Sequence, residues 1–195
     1  MIIKFIIFAA IAYLLGSLSS AIIVCRLMGL PDPRSEGSKN PGTTNVLRLG
    51  GKNAAALTLL GDALKGLIAV LLARIFGVHG FWLGLVAVVA VIGHIFPLFF
   101  QFKGGKGVAT AFGATLALSL PLALVGAITW LLVLVFSRYS SLAALVTAVF
   151  LPIYCILFAD FSYLIPILVM SGLIIWRLWE NIQRLKAGTE TKVNF

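Results

Sequence analysis

Residues 107–136 read GVATAFGATLALSLPLALVGAITWLLVLVF. As one helix these 30 residues extend about 45 Å, against a bilayer hydrocarbon core of about 30 Å. Pro121 sits in the middle, just after Ser119. The run is either one kinked helix or two short ones, 107–120 and 122–137, and the choice decides the fold.

Five other apolar runs lie at about 5–25, 54–76, 81–100, 141–159 and 163–179. With two short helices the chain has seven spans and its ends face opposite sides. One side then carries Arg26, Arg34, Lys39, Arg48, Lys52, Lys103, Lys106, Arg138, Arg177, Arg184, Lys186 and Lys192. The other carries only Lys4 and Arg74, with Lys65 inside a span. With one kinked helix everything from Arg138 onward changes sides, and the asymmetry falls to seven against seven. Lys and Arg accumulate on cytoplasmic loops, which favours the first arrangement. The expected architecture is all-α: one membrane-embedded domain over 1–195, seven transmembrane helices, N-terminus outside and C-terminus cytoplasmic. The two middle helices are short, so they tilt little or thin the bilayer.

Composition agrees. The chain has 195 residues, 61% hydrophobic and only 11% charged, with a mean hydropathy of +1.11. Continuous apolar runs of this length are solvated by lipid. They do not alternate as the strands of a membrane barrel would. The first run spans about twenty apolar residues with no small-residue cleavage site after it, unlike a signal peptide. The net charge of +9 is partly the cytoplasmic bias. The rest points to anionic ligands or membrane lipids rather than nucleic acid. Cys25 and Cys155 lie in apolar runs without metal-site spacing and read as small core residues. No metal or cofactor is expected.

In this arrangement the unusual polar segments share the cytoplasmic face. The longest, within 26–53, contains EGSKNPGTTNVLRLGGKN (36–53). Helix connections usually need two to eight residues, and this one has about twenty-eight. Ser38, Asn40, Thr43, Thr44 and Asn45 offer short polar side chains. Gly37, Gly42, Gly50 and Gly51 let the backbone turn N–H groups toward a ligand. With Lys39, Arg48 and Lys52 this is the inventory of a phosphate cradle. FKGGKGVAT (102–110) adds Lys103 and Lys106 around Gly104 and Gly105, with Gly107 opening a helix whose N-terminus favours an anion. It is not a nucleotide-binding Walker A loop: Phe100 stands where its first Gly belongs, and Gly107 follows Lys106. Asp62 and Lys65 lie three apart inside a span, as a mutual ion pair or as a lysine reaching an anionic ligand with Asp62 holding it. Arg177, Asn181 and Arg184 share a helical face in the last segment. Glu180 can pair with Arg177 or Arg184. His79 reads as a solvent-exposed loop residue and His94 as a buried one.

Several chemistries are absent. No Asp follows a His in the HxxxxD spacing: Phe99 stands five after His94, and Gly84 five after His79. There is no GxSxG, no HExxH and no carboxylate cluster for metals. A transporter or channel for a phosphorylated metabolite is the alternative reading. Short outer connections and one-sided polar loops argue against alternating access.

GSKNPGTTNVLRLGGKN, GHIFPLFFQFKGGKGVATAFG and NIQRLKAGTE closely resemble the signature segments of the bacterial membrane acyl-phosphate:glycerol-3-phosphate acyltransferases (PlsY). The resemblance runs the length of the chain. It implies transfer of a fatty acyl group from an acyl phosphate to the 1-hydroxyl of glycerol 3-phosphate, giving lysophosphatidic acid and phosphate, without acyl-CoA, acyl carrier protein or metal. This opens phospholipid synthesis. The implied partners are acyl phosphate, glycerol 3-phosphate and membrane lipids. The implied location is the bacterial inner membrane, with the site on the cytoplasmic face and the protein a monomer. Ser38, Asn40, Thr43, Asn45 and Arg48 match the first motif. His94, Lys103, Gly104, Gly105, Lys106 and Thr110 match the second, and Asn181, Arg184, Gly188 and Glu190 the third. Ser141, in RYSSLA, belongs to a further recognisable stretch. Family members often carry a His in the turn before the Asn-Ile pair; here Leu178 and Trp179 occupy it.

The expected catalytic residues are Ser38, Arg48, His94, Lys106 and Asn181. Expected to bind substrate phosphates are Lys39, Asn40, Gly42, Thr43, Thr44, Asn45, Lys65, Lys103, Gly104, Gly105, Gly107, Thr110, Ser141, Arg184 and Gly188. Asp62 and Glu190 support them. The acyl phosphate is already activated, so alignment of the hydroxyl and stabilisation of negative charge carry the catalysis. A phosphate oxygen of the donor is preferred to His94 as proton acceptor.

Overall fold

The computed structural model describes residues 1–193. The 107–136 run is two helices, α5 (Val108–Leu118) and α6 (Leu120–Ser137), in a series of nine among the described residues. Ser119 between them is extended, with φ −157° and ψ 114°. Its N–H closes α5 on the Thr115 carbonyl at 2.8 Å. Its hydroxyl accepts the Leu122 N–H at 3.3 Å, capping α6. Pro121 then falls in the first turn of α6, where its missing N–H costs nothing.

The other elements are α1 (Ile2–Gly16), α2 (Ser20–Leu27), α3 (Thr43–Ile75), α4 (Gly80–Ile95), α7 (Ser140–Phe158), α8 (Leu164–Arg177) and α9 (Trp179–Lys186). Among the described residues, five segments are long and apolar enough to cross a membrane, or six if α8 and α9 count as one bent span. The α5 helix is a shorter apolar one of 11 residues.

Three breaks depart from the expected spans. The first run is interrupted between α1 and α2, and the freed Leu18 carbonyl accepts Lys65 Nζ at 2.6 Å. The long polar connection is partly helical. Its residues from Thr43 onward form the start of α3, which kinks at Gly51 (φ 74°, ψ −169°), a left-handed φ that glycine adopts without Cβ strain. The last segment bends by 55° between α8 and α9, so Arg177 does not share a helix with Asn181 and Arg184.

Small residues set the helix crossings. A Cβ on Gly66 would lie 2.2 Å from the Thr110 carbonyl oxygen, and one on Gly113 would lie 1.9 Å from that of Ala63. The α3 and α5 backbones therefore touch, as membrane helices do where lipid supplies no hydrophobic drive. The core is built around α4, with Val86, Ala87, Ala90 and Val91 fully buried. Large apolar side chains such as Ile3, Phe136 and Leu157 face outward, the surface of a protein whose solvent is lipid. Cys25 and Cys155 are buried free thiols, and His79 is exposed.

Candidate active site

The polar segments meet at a single cavity of about 1000 Å³. Its head is lined by Ser38, Lys39, Asn40, Gly42, Thr43, Thr44, Asn45 and Arg48 from the first connection and start of α3. Lys106 and Gly107 precede α5, and Ser141 opens α7. Asn181 and Arg184 come from α9, and Glu190 from the tail. Asp62 and His94 also face it. Below this head an apolar arm continues between α3, α5, α6, α7 and α8, past Ala63, Phe112, Gly126, Ala148 and Leu151.

The first connection is held from within. Asn45 is 1% exposed. Its Nδ2 donates to the carbonyls of Pro33 and Glu36, both at 3.0 Å, and its Oδ1 accepts the Ser38 N–H at 2.9 Å. Asn45 thus spends both ends of its amide on the loop and presents Ser38. Gly42 caps α3 in extended conformation. The first-turn N–H groups of Thr43 and Thr44 have no intrahelical acceptor, so this helix end offers donors to an anion. Arg48, one turn further, is exposed and donates through Nη2 to the Thr191 carbonyl at 3.3 Å. Thr44 and Ser140 pair through their hydroxyls at 3.1 Å.

The opposite wall is a network centred on Glu190. One carboxylate oxygen accepts from Ser141 Oγ and from Asn181 Nδ2, each at 2.6 Å. The other accepts from Arg184 Nε at 2.7 Å. Burial would raise this carboxyl, but the hydrogen bonds from Ser141, Arg184 and Asn181 outweigh it and hold Glu190 below the usual glutamate range. Lys106 Nζ donates to Asn181 Oδ1. Burial first, and then the Arg184 charge, bring the Lys106 ammonium down to about 8.

Six expected phosphate ligands do not line the cavity: Lys65, Lys103, Gly104, Gly105, Thr110 and Gly188. All but Lys103 have another occupation. Lys65 pairs with Asp62 at 2.9 Å and ties down the Leu18 carbonyl, so the ion-pair reading describes it. Lys103 projects into the surroundings. Gly104 and Gly105 are buried against the end of α4. A Cβ on Gly104 would lie 2.0 Å from the His94 carbonyl oxygen, and one on Gly105 would lie 2.3 Å from His94 Nε2. Their carbonyls accept from Arg177 at 3.2 Å each. Thr110 Oγ1 lies 3.1 Å from His94 Nδ1. Gly188 adopts φ 71° after α9 and turns the tail so that Glu190 folds back on Asn181. Ser140 and Thr191 also line the cavity and were not among the expected site residues; Ser140 lies in the RYSSLA stretch, and Thr191 left no signal. Leu178, where family members often carry a His, is buried at the α8–α9 bend and lines the cavity.

A family model described as glycerol-3-phosphate acyltransferase matches residues 6–188. The chain belongs to that family. Among curated glycerol-3-phosphate acyltransferases, one from Coxiella burnetii is 58% identical over 189 residues, covering 97% of this chain and 98% of that protein. One from a Shewanella species is 54% identical over 183 residues, covering 94% and 90%. A crystal structure of PlsY, an integral membrane glycerol 3-phosphate acyltransferase in its glycerol 3-phosphate form, superposes with a TM-score of 0.92 at 38% identity, covering 97% of this chain and 96% of that one. Its lysophosphatidic acid form gives 0.89 at 36% identity.

Proposed function

We propose that this member of the glycerol-3-phosphate acyltransferase family transfers a fatty acyl group from an acyl phosphate to the 1-hydroxyl of glycerol 3-phosphate. The products are lysophosphatidic acid and inorganic phosphate, the opening of phospholipid synthesis. The observation that carries the reading is one cavity with a cationic, hydroxyl-rich head and an apolar arm. A phosphorylated glycerol fits the head and a fatty chain fits the arm, with the reacting carbonyl where they meet. The family's glycerol 3-phosphate and lysophosphatidic acid forms support this substrate and product.

Two sets of donors suit two phosphates. Ser38, Thr43, Thr44 and Arg48 form one. Lys106, Gly107, Asn181 and Arg184 form the other, with Ser141 and Glu190 setting its geometry. Positioning of the hydroxyl beside an activated carbonyl, and donors aimed at the oxyanion and departing phosphate, supply the rate. An oxygen of the donor phosphate takes the hydroxyl proton. His94 is held at Nδ1 by Thr110 and lies 3.6 Å from Asp62, and His94→Ala should retain measurable turnover. Complete loss of turnover with both substrates still bound would overturn the substrate-as-base mechanism.

The protein works as a monomer in the bacterial inner membrane, as one domain of seven spans in which α5 is a short crossing. Its N-terminus is outside, and its C-terminus and site are cytoplasmic. The twelve-to-two distribution of flanking cations supports this orientation. The deciding experiment is phosphate release from palmitoyl phosphate by detergent-solubilised protein. Release should require glycerol 3-phosphate, and lysophosphatidic acid, followed directly, should form from palmitoyl phosphate and not from palmitoyl-CoA. Equal use of palmitoyl-CoA would refute the donor assignment.

A further inference from the structure

The apolar arm has a floor that the helix positions locate. On α6 its wall descends from Trp130 through Gly126 to Ala123, and on α7 from Ala144 to Leu151. At 1.5 Å per residue, Gly126 lies about 16 Å below the Ser137 end of α6, and Leu151 lies about 16 Å below the Ser140 end of α7. The two therefore face each other at one depth. A Cβ on Gly126 would lie 3.1 Å from Leu151 Cδ1 and 3.7 Å from Thr147 Cγ2. Gly126 and Leu151 are therefore already in contact at this level, and a larger residue at 126 must push Leu151, which also lines the arm. Half of a bilayer hydrocarbon core is about 15 Å, the depth that one leaflet's fatty chain occupies. The head of the cavity lies at the helix ends, so a membrane-length chain anchored there reaches Gly126.

We propose that Gly126, opposite Leu151, sets the longest fatty chain this protein accepts. The inference rests on the proposed acylation for its substrate. A larger residue at 126 closes the lower arm and shortens the limit, whereas a smaller residue at 151 deepens it. Each methylene denied its place costs roughly fourfold in binding.

The test uses the full-length protein in detergent with saturated acyl phosphates from octanoyl to stearoyl. Gly126→Val should lower kcat/KM progressively with chain length, so that the octanoyl-to-palmitoyl ratio rises by at least tenfold. Leu151→Ala should shift the profile toward stearoyl. Gly172→Val, with open space at its Cβ and an exposed position outside the cavity, should leave the profile as in the wild type. A Gly126→Val profile parallel to wild type at every length would overturn the proposal. If Gly126→Val does not fold, an unchanged Leu151→Ala profile would overturn it equally. Binding of lysophosphatidic acids of the same chain lengths, read by isothermal titration, gives the profile without any acyl donor. A wild type that turns over no acyl phosphate yet shows the chain-length break in this titration would defeat the donor assignment and leave the chain limit standing. The absence of any break in the wild-type titration defeats the limit.

Discussion

Burial and the Arg184 charge bring Lys106 to about 8, below the usual lysine value of about 10.4. The sign follows: as pH rises through about 8 the free protein loses this ammonium, and one donor to an anionic ligand becomes neutral. The affinity for glycerol 3-phosphate should therefore fall across that range, measured as KM or by titration calorimetry. Lys106→Arg, whose guanidinium stays charged, should flatten the dependence. Glu190 runs the other way. Its folded value is depressed, so its contribution is present above the ordinary glutamate range and is lost as pH falls through the lowered value. Glu190→Gln leaves Arg184 only the exposed Glu180, 3.9 Å away, and kcat/KM should drop by roughly 10–100-fold, the worth of a hydrogen bond to a charged group. Arg48→Ala should cost about 10²–10³-fold in kcat/KM while circular dichroism and elution volume stay as in the wild type. Near-normal activity would remove Arg48 from the site.

At the scale of elements, glycines divide into those that line the cavity and those that meet backbone. The sequence shows Gly104 and Gly105 in a basic turn before a helix, which is the pattern of an anion loop. Their contacts with His94 and Arg177 make them the seam between α4, α5 and α8 instead. No local pattern separates these two uses, because both need a missing Cβ. The α3–α5 crossing is the other such seam. Gly113→Leu should lower the melting temperature in detergent by several degrees, since its Cβ has no room beside the Ala63 carbonyl. Gly172→Leu, in open space, should not. Gly51 acts through conformation: its left-handed φ lets the first turns of α3 leave the axis of the span and aim Thr43, Thr44 and Arg48 at the cavity. Gly51→Ala should destabilise by about 1 kcal/mol and raise KM for glycerol 3-phosphate.

For the whole molecule, orientation is testable with single cysteines, because Cys25 and Cys155 are buried. In intact cells a membrane-impermeant maleimide should label His79→Cys and leave Lys192→Cys unlabelled until the membrane is opened. The opposite pattern would invert the topology. Hydropathy made the helical class legible because lipid solvation is a local property, and the charge count made the break near Pro121 legible because Lys and Arg gather on one side of a membrane; that Pro121 lies inside the first turn of α6 came from the structure. The three motifs likewise announced anion chemistry, since residue types alone carry charge and hydrogen-bonding capacity. What residue order could not state is which donors face the same space. Lys65 and Lys106 are both lysines beside small residues. Only packing sends one to the Leu18 carbonyl and the other to Asn181 in the cavity wall. Glu190 becomes the centre of a network because the turn at Gly188 folds it back across α9. The depth of the arm at Gly126 exists only once α6 and α7 lie side by side. Charge and hydrophobicity are properties of residues and survive unfolding; a cavity is a property of distances between residues far apart in the chain, and the tertiary structure alone decided it.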